Sequence, residues 1–193
     1  MIRAAFATIH LLLSPVAAGF AQTAPARLET LDFGFGFYSD ATHTLFHDYW
    51  NPGAGVEAFV AVPFPLGSLR TGVQQFHNDP LTGSIGFRSR YYHLALDASV
   101  YAVGRVRLRA GPEVGIYHMY FDDDNLPDYA RSESEFAVGG GLGLDLFPAA
   151  RWGISALGRY QVVLTERRIH RLMLGAALSY RAGVPGWLRG FLD

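Results

Sequence analysis

From residue 31 to residue 181 apolar and polar side chains alternate with a period of two rather than 3.6, which predicts strands. In Arg105–Phe121, Val106, Leu108, Ala110, Pro112, Val114 and Ile116 form one face. Arg107, Arg109, Glu113 and Tyr117 fall on the other. The same alternation runs through Phe136–Leu146, Trp152–Leu164 and Leu172–Tyr180, with Asp145, Arg159 and Arg171 on their polar faces. Upstream, Phe33, Phe35 and Phe37 alternate with Asp32, Gly34 and Gly36. Val56–Val62 places Glu57 opposite its valines, and Leu94–Val100 opposes His93, Asp97 and Ser99. Leu69–Val73 is the weakest, with Arg70 and Gln74 on its polar face. These segments amount to about eight strands of the length a tilted membrane-spanning strand needs.

The connections alternate in length. Pro63–Gly67, Val103-Gly104 and Phe147–Arg151 are short. Asp40–Pro52 and Asp122–Ser132 are long and polar, and His77–Ser84 and Thr165–Arg168 are intermediate. That alternation predicts an up-and-down meander with one trimmed rim and one elaborated rim. Gly83–Ala102 reads either as one long strand or as two shorter ones.

A soluble barrel also alternates but buries its apolar face. Three features favour the inverse. The polar face carries Glu57, Arg70, Asp97, Arg107, Arg109, Glu113, Asp145, Arg159 and Arg171. The apolar face is nearly unbroken through the later strands. Aromatic residues (Phe37, Phe64, Tyr91, Tyr92, Tyr120, Phe121, Phe136, Phe147, Trp152 and Tyr180) collect at strand ends, as interfacial girdles do. The expected fold is therefore all-β, an up-and-down antiparallel transmembrane β-barrel of about eight strands.

The first residues support export. Arg3, the apolar run Ala4–Leu13, the breaker Ser14-Pro15 and the small residues of Gly19-Phe20-Ala21 read as a signal peptide over residues 1–21. A short segment, residues 22–30, then leads into a barrel over 31–181, and residues 182–193 form a tail. With 193 residues the chain has room for one domain. It has no cysteine, which excludes disulfides and thiolate chemistry, and a net charge of −1, which offers no field for nucleic acid. All 16 basic residues are arginine, whose fork pairs bidentately with carboxylates.

Signal peptide, strand number and trimmed turns, with segments such as Arg107-Leu-Arg-Ala-Gly-Pro-Glu-Val-Gly-Ile-Tyr117 and Gly139-Gly-Gly-Leu-Gly-Leu-Asp145, resemble the small outer-membrane barrels of the OmpA and OmpX type. The resemblance covers Leu31–Arg181. It implies the outer membrane of a Gram-negative bacterium. The partners expected are the lipid bilayer, lipopolysaccharide and the assembly machinery, around a monomer without cofactor or nucleic acid.

An eight-stranded barrel has an interior wide enough for side chains and little more. The nine charges above are thus expected to pair across the lumen, with Glu57, Glu113 and Asp145 as partners for Arg107 and Arg109. The expected role is structural or surface-interactive. A lipid-modifying hydrolase or acyltransferase is the runner-up and a small pore the third reading. His93, Asp97 and Ser99 share a strand face but lie about 13 and 20 Å apart, too far for one triad. Asp122, Asp123, Asp124, Asn125 and Asp128, and separately His43, His47, Asp48 and Tyr49, carry ligand atoms for a cation. A solvated loop explains either set as well, and no metal site is expected.

Overall fold

The computed structural model describes residues 29–41, 44–64, 67–81, 83–103, 106–123, 127, 130–147 and 150–186. The proposed signal peptide and most of the tail lie outside these residues, as do His43, Asp124, Asn125 and Asp128. Nine strands are formed among the described residues: β1 (Thr30–Asp40), β2 (Trp50–Pro52), β3 (Gly55–Phe64), β4 (Gly67–Pro80), β5 (Phe87–Val103), β6 (Val106–Phe121), β7 (Ser132–Leu146), β8 (Trp152–Val163) and β9 (Ile169–Gly183).

Eight of them close a ring. β1 pairs with β3 on one side and with β9 on the other, from Thr30 opposite Gly183 to Asp40 opposite Met173. β3 to β9 follow in chain order, each antiparallel to the next, and β4 joins β5. The short β2 pairs with the last residues of β4, Asn78–Pro80, and so extends the wall beyond the end of β3. A closed barrel leaves no strand edge to pair with another chain.

The exposure of the two faces decides what kind of barrel this is. Phe37 is 62% exposed and Leu142 61%, whereas Glu57 is 1% exposed, Arg159 2% and Arg171 0%. A belt of apolar side chains thus points outward and the ionised groups point in, the reverse of a soluble barrel. Only a solvent of hydrocarbon makes that arrangement favourable, because charges in the lumen are paired and the outer face has nothing to hydrate.

One open alternative is decided and two expectations need correction. Residues 87–103 are one strand, β5, of 17 residues. β4 runs to Pro80, well past Val73, because its residues from Gly67 to Asn78 pair in turn with Ala98 to Phe87 of β5, which continues the ladder. Tyr91 is no girdle residue: it is 1% exposed, turned into the lumen and stacked on His93 at 5.4 Å. Its neighbour Tyr92, 46% exposed, is the outward one.

The first long connection also folds where none of its residues predicted structure. A 3₁₀ turn, Leu45–Asp48, carries Phe46 into the loop-side mouth, where it is 5% exposed and packs on Trp50 at 5.1 Å and on Phe87 at 6.2 Å. Trp50 Nε1 donates to the Ile85 carbonyl at 2.7 Å. Phe46, Phe87, Tyr91, Tyr117, Met119, Ala137 and Val163 form an apolar cluster under that mouth.

Candidate functional site

Strand alternation sends the inward side chains of six neighbouring strands to one level of the lumen. Four carboxylates and four guanidiniums meet there. Glu57 Oε1 lies 3.1 Å from Arg70 Nη1, 2.8 Å from Arg159 Nη2 and 2.7 Å from His93 Nε2. The Tyr38 hydroxyl donates to its other oxygen. Glu113 Oε2 lies 3.2 Å from Arg159 Nε and 3.5 Å from Arg70 Nη2. Asp97 Oδ2 accepts from Arg70 Nε at 3.1 Å and from Arg109 Nη1 at 2.8 Å. Asp145 accepts from Arg109 Nε at 3.1 Å, Arg107 Nε at 2.8 Å and the Ser155 hydroxyl at 2.7 Å. Equal numbers of opposite charges make the cluster neutral, which is the condition for burying it.

Arg171 stands apart, nearer the loop side. Its Nε donates to Asp40 at 2.8 Å, its Nη1 to Tyr117 at 3.3 Å, and its guanidinium lies 4.1 Å from the Phe76 ring centroid. At the turn-side end Arg181 grips Asp32 through two bonds, of 2.7 and 2.8 Å, at a quarter exposure.

Of the expected partners, only Asp145 takes Arg107 and Arg109. Glu57 and Glu113 belong to Arg70 and Arg159, and Arg109 takes Asp97 as its second acid. The reason is register. Arg107 sits opposite Asp145 on β7 and Ser99 sits opposite Arg109 on β5, whereas Glu57 is three strands removed from β6 around the wall. Glycines make room for the crowd: a Cβ on Gly143 would stand 2.6 Å from Arg109 Nε, and one on Gly34 would enter the Phe59 ring.

His93, too far along its strand from Asp97 and Ser99 to form a triad with them, lies between Glu57 and Glu113, with Nδ1 3.6 Å from Glu113 Oε2, while Asp97 is held by arginines. No serine joins it. A serine–histidine pair exists elsewhere. On the outer face, near the loop side, Ser134 Oγ lies 2.7 Å from His118 Nδ1. The two are 16 residues apart and opposite one another on β6 and β7. Only the register brings them together, so no spacing motif announces them. Tyr120 stacks on the His118 ring at 5.9 Å and Tyr92 meets it edge-on at 6.0 Å. No group of three or more metal-ligating side chains is found among the described residues.

Two openings flank the ion cluster. The turn-side cavity, about 110 Å³, is lined by Asp32, Ser68, Arg107, Asp145, Ser155 and Arg181. The loop-side vestibule, about 750 Å³, has Phe46, Trp50, Phe87 and Phe121 among its walls. They share no lining residue, and the charged cluster and the apolar layer fill the space between.

No protein-family model and no curated protein sequence matches this chain. Solved structures do. Outer membrane protein H (OprH) from P. aeruginosa in micelles superposes with a TM-score of 0.52 at 14% identity, over 80% of this chain and 99% of that one. The Neisserial surface protein A (NspA) superposes with a TM-score of 0.50 at 11% identity, over 80% and 95%. At such identities the likeness is one of fold: the chain has the architecture of the small eight-stranded outer-membrane barrels.

Proposed function

We propose that this protein is a closed barrel of the Gram-negative outer membrane with a structural or surface-interaction role, and not a channel. One observation carries the reading: an outward apolar belt encloses a lumen in which each buried arginine of the central cluster meets a carboxylate. Such a lumen leaves no hydrated path. The function then resides in what the outer face and the long connections touch, namely lipid, lipopolysaccharide headgroups and surface molecules. On this reading the elaborated rim faces outward and the short turns face the periplasm. Purified protein inserted in planar bilayers should give no stable unitary conductance, and its fold in bilayers should persist. Well-defined open-channel steps would overturn the proposal.

The Ser134–His118 pair favours one second reading, a lipid-ester hydrolase working from the outer face. A base within hydrogen-bond reach of a hydroxyl is the first requirement of a serine nucleophile. The environment supplies aromatic rings rather than an orienting carboxylate, which weakens it. Comparison of membrane lipids from cells carrying wild type and Ser134→Ala separates the readings, since only the hydrolase predicts a difference.

A further inference from the structure

The loop-side vestibule has the size and lining of a ligand site rather than of a gap between loops. Small-molecule pockets hold some hundreds of cubic ångströms, are mostly apolar, and carry a few polar groups that choose the ligand. Here Phe46, Trp50, Phe87 and Phe121 supply aromatic surface, and Phe46 is fixed in place by the 3₁₀ turn and by the Trp50 and Phe87 rings. Trp50 is itself anchored through its indole N–H to Ile85.

Two carboxylates stand on the same wall. Glu133 and Glu135 are two residues apart on β7, opposite Met119 and Tyr117, both of which point into the lumen. Neither glutamate takes part in an ion pair or hydrogen bond among the described residues. This separates them from the central cluster, where each carboxylate has a guanidinium. Arg167 and Arg168 also line the rim, but they sit in the exposed β8–β9 turn, on long side chains free to extend into water. The acids, by contrast, are fixed to a strand. Aromatic faces attract cations and repel anions, so floor and wall select the same sign. The fold already uses Phe46 in this way, with the Arg171 guanidinium 5.8 Å from its ring centroid.

We propose that the vestibule binds small apolar organic cations, with the apolar part on the aromatic floor and the ammonium group facing Glu133 and Glu135. Binding requires only the folded barrel, so it stands or falls independently of the role proposed above.

The test uses the full-length barrel in phosphatidylcholine nanodiscs, with Trp152→Phe and Trp187→Phe leaving Trp50 as the reporter. Benzyltrimethylammonium, phenylacetate and 2-phenylethanol are titrated against its fluorescence, with empty nanodiscs as baseline. The expected result is saturable binding of the cation at least tenfold tighter than of the alcohol or the anion. Glu133→Gln with Glu135→Gln should remove that preference and leave alcohol binding unchanged. Thr165→Arg, a rim substitution that leaves both glutamates in place, should weaken the cation as well. Absence of a saturable response to the cation, equal or tighter binding of phenylacetate, or an undiminished preference in both variants overturns the proposal.

Discussion

Replacing Glu57 by glutamine tests the central cluster most directly. Its carboxylate meets Arg70, Arg159, His93 and Tyr38, and its side chain is fully buried. The amide keeps the shape but removes the charge, so four guanidiniums then face three carboxylates, Asp97, Glu113 and Asp145. Breaking one side of a buried ion pair costs about 3–5 kcal/mol, because the surviving charge is stranded rather than rehydrated. Arg159 retains only Glu113, and the lumen offers it no bulk water. Glu57→Gln combined with Arg159→Met restores neutrality, so the double variant should recover part of the loss. Asp32→Asn is the control. Its bidentate pair with Arg181 sits a quarter exposed at the turn-side end, where a pair contributes at most about 1 kcal/mol. Reversible urea unfolding in lipid vesicles measures these three variants, and Arg159→Met alone, against wild type. A Glu57→Gln cost no greater than that of Asp32→Asn, or a double variant less stable than wild type by the full sum of the two single costs, refutes the stranded-charge account.

Leu142 points outward at 61% exposure, and Leu142→Arg should cost about 2–4 kcal/mol in bilayers if this belt lies near the midplane; unchanged folding in vesicles would show that the belt does not meet lipid. Gly143→Ala should destabilise by about 1–3 kcal/mol, since its Cβ would collide with the Arg109 side chain at 2.6–2.9 Å and pull it from Asp145. Gly141→Ala, whose nearest contact would be 3.8 Å, should be neutral in the same unfolding assay. A cysteine at Ala150, in the turn after β7, should resist an impermeant maleimide on intact cells and react after the outer membrane is permeabilised; labelling of intact cells would invert the orientation proposed here.

The barrel was legible in the sequence because its two solvents differ so sharply. Lipid-facing positions tolerate only apolar groups, so Leu172, Leu174, Ala176 and Leu178 read as one face without any structure. β4 read poorly for the same reason in reverse. Thr71, Gln75 and His77 interrupt its outer face, and it becomes visible as a strand only through its partners on β5. Charged residues could be assigned to the lumen from alternation alone, but their pairing could not, since it depends on which strands meet across the interior. Tyr91 misled because an aromatic at a strand end looks the same whether it faces lipid or packs on a lumen histidine. Phe46 was hidden in a polar loop, and Ser134 with His118 in a pairing 16 residues apart.

The ion cluster also bears on how the strands align. A strand that slips by one residue exchanges its faces, so a register error in β6 would carry Arg107, Arg109 and Glu113 into hydrocarbon and turn Leu108 and Val114 inward. Charge at the midplane costs several kcal/mol for a single arginine, and an inward Leu108 leaves Asp145 without the two arginines that pair with it. The penalty falls on both faces at once. A barrel lined with serine and glycine would meet only the outer half of that penalty. Arginine strengthens the effect because its planar fork spans two acids: Arg70 reaches Glu57 and Asp97, Arg109 reaches Asp97 and Asp145, and Arg159 reaches Glu57 and Glu113. Those three residues come from β4, β6 and β8, and the acids from β3, β5, β6 and β7, so each bridge is satisfied only when several strands hold their registers together. The same paired charges thereby select one strand alignment.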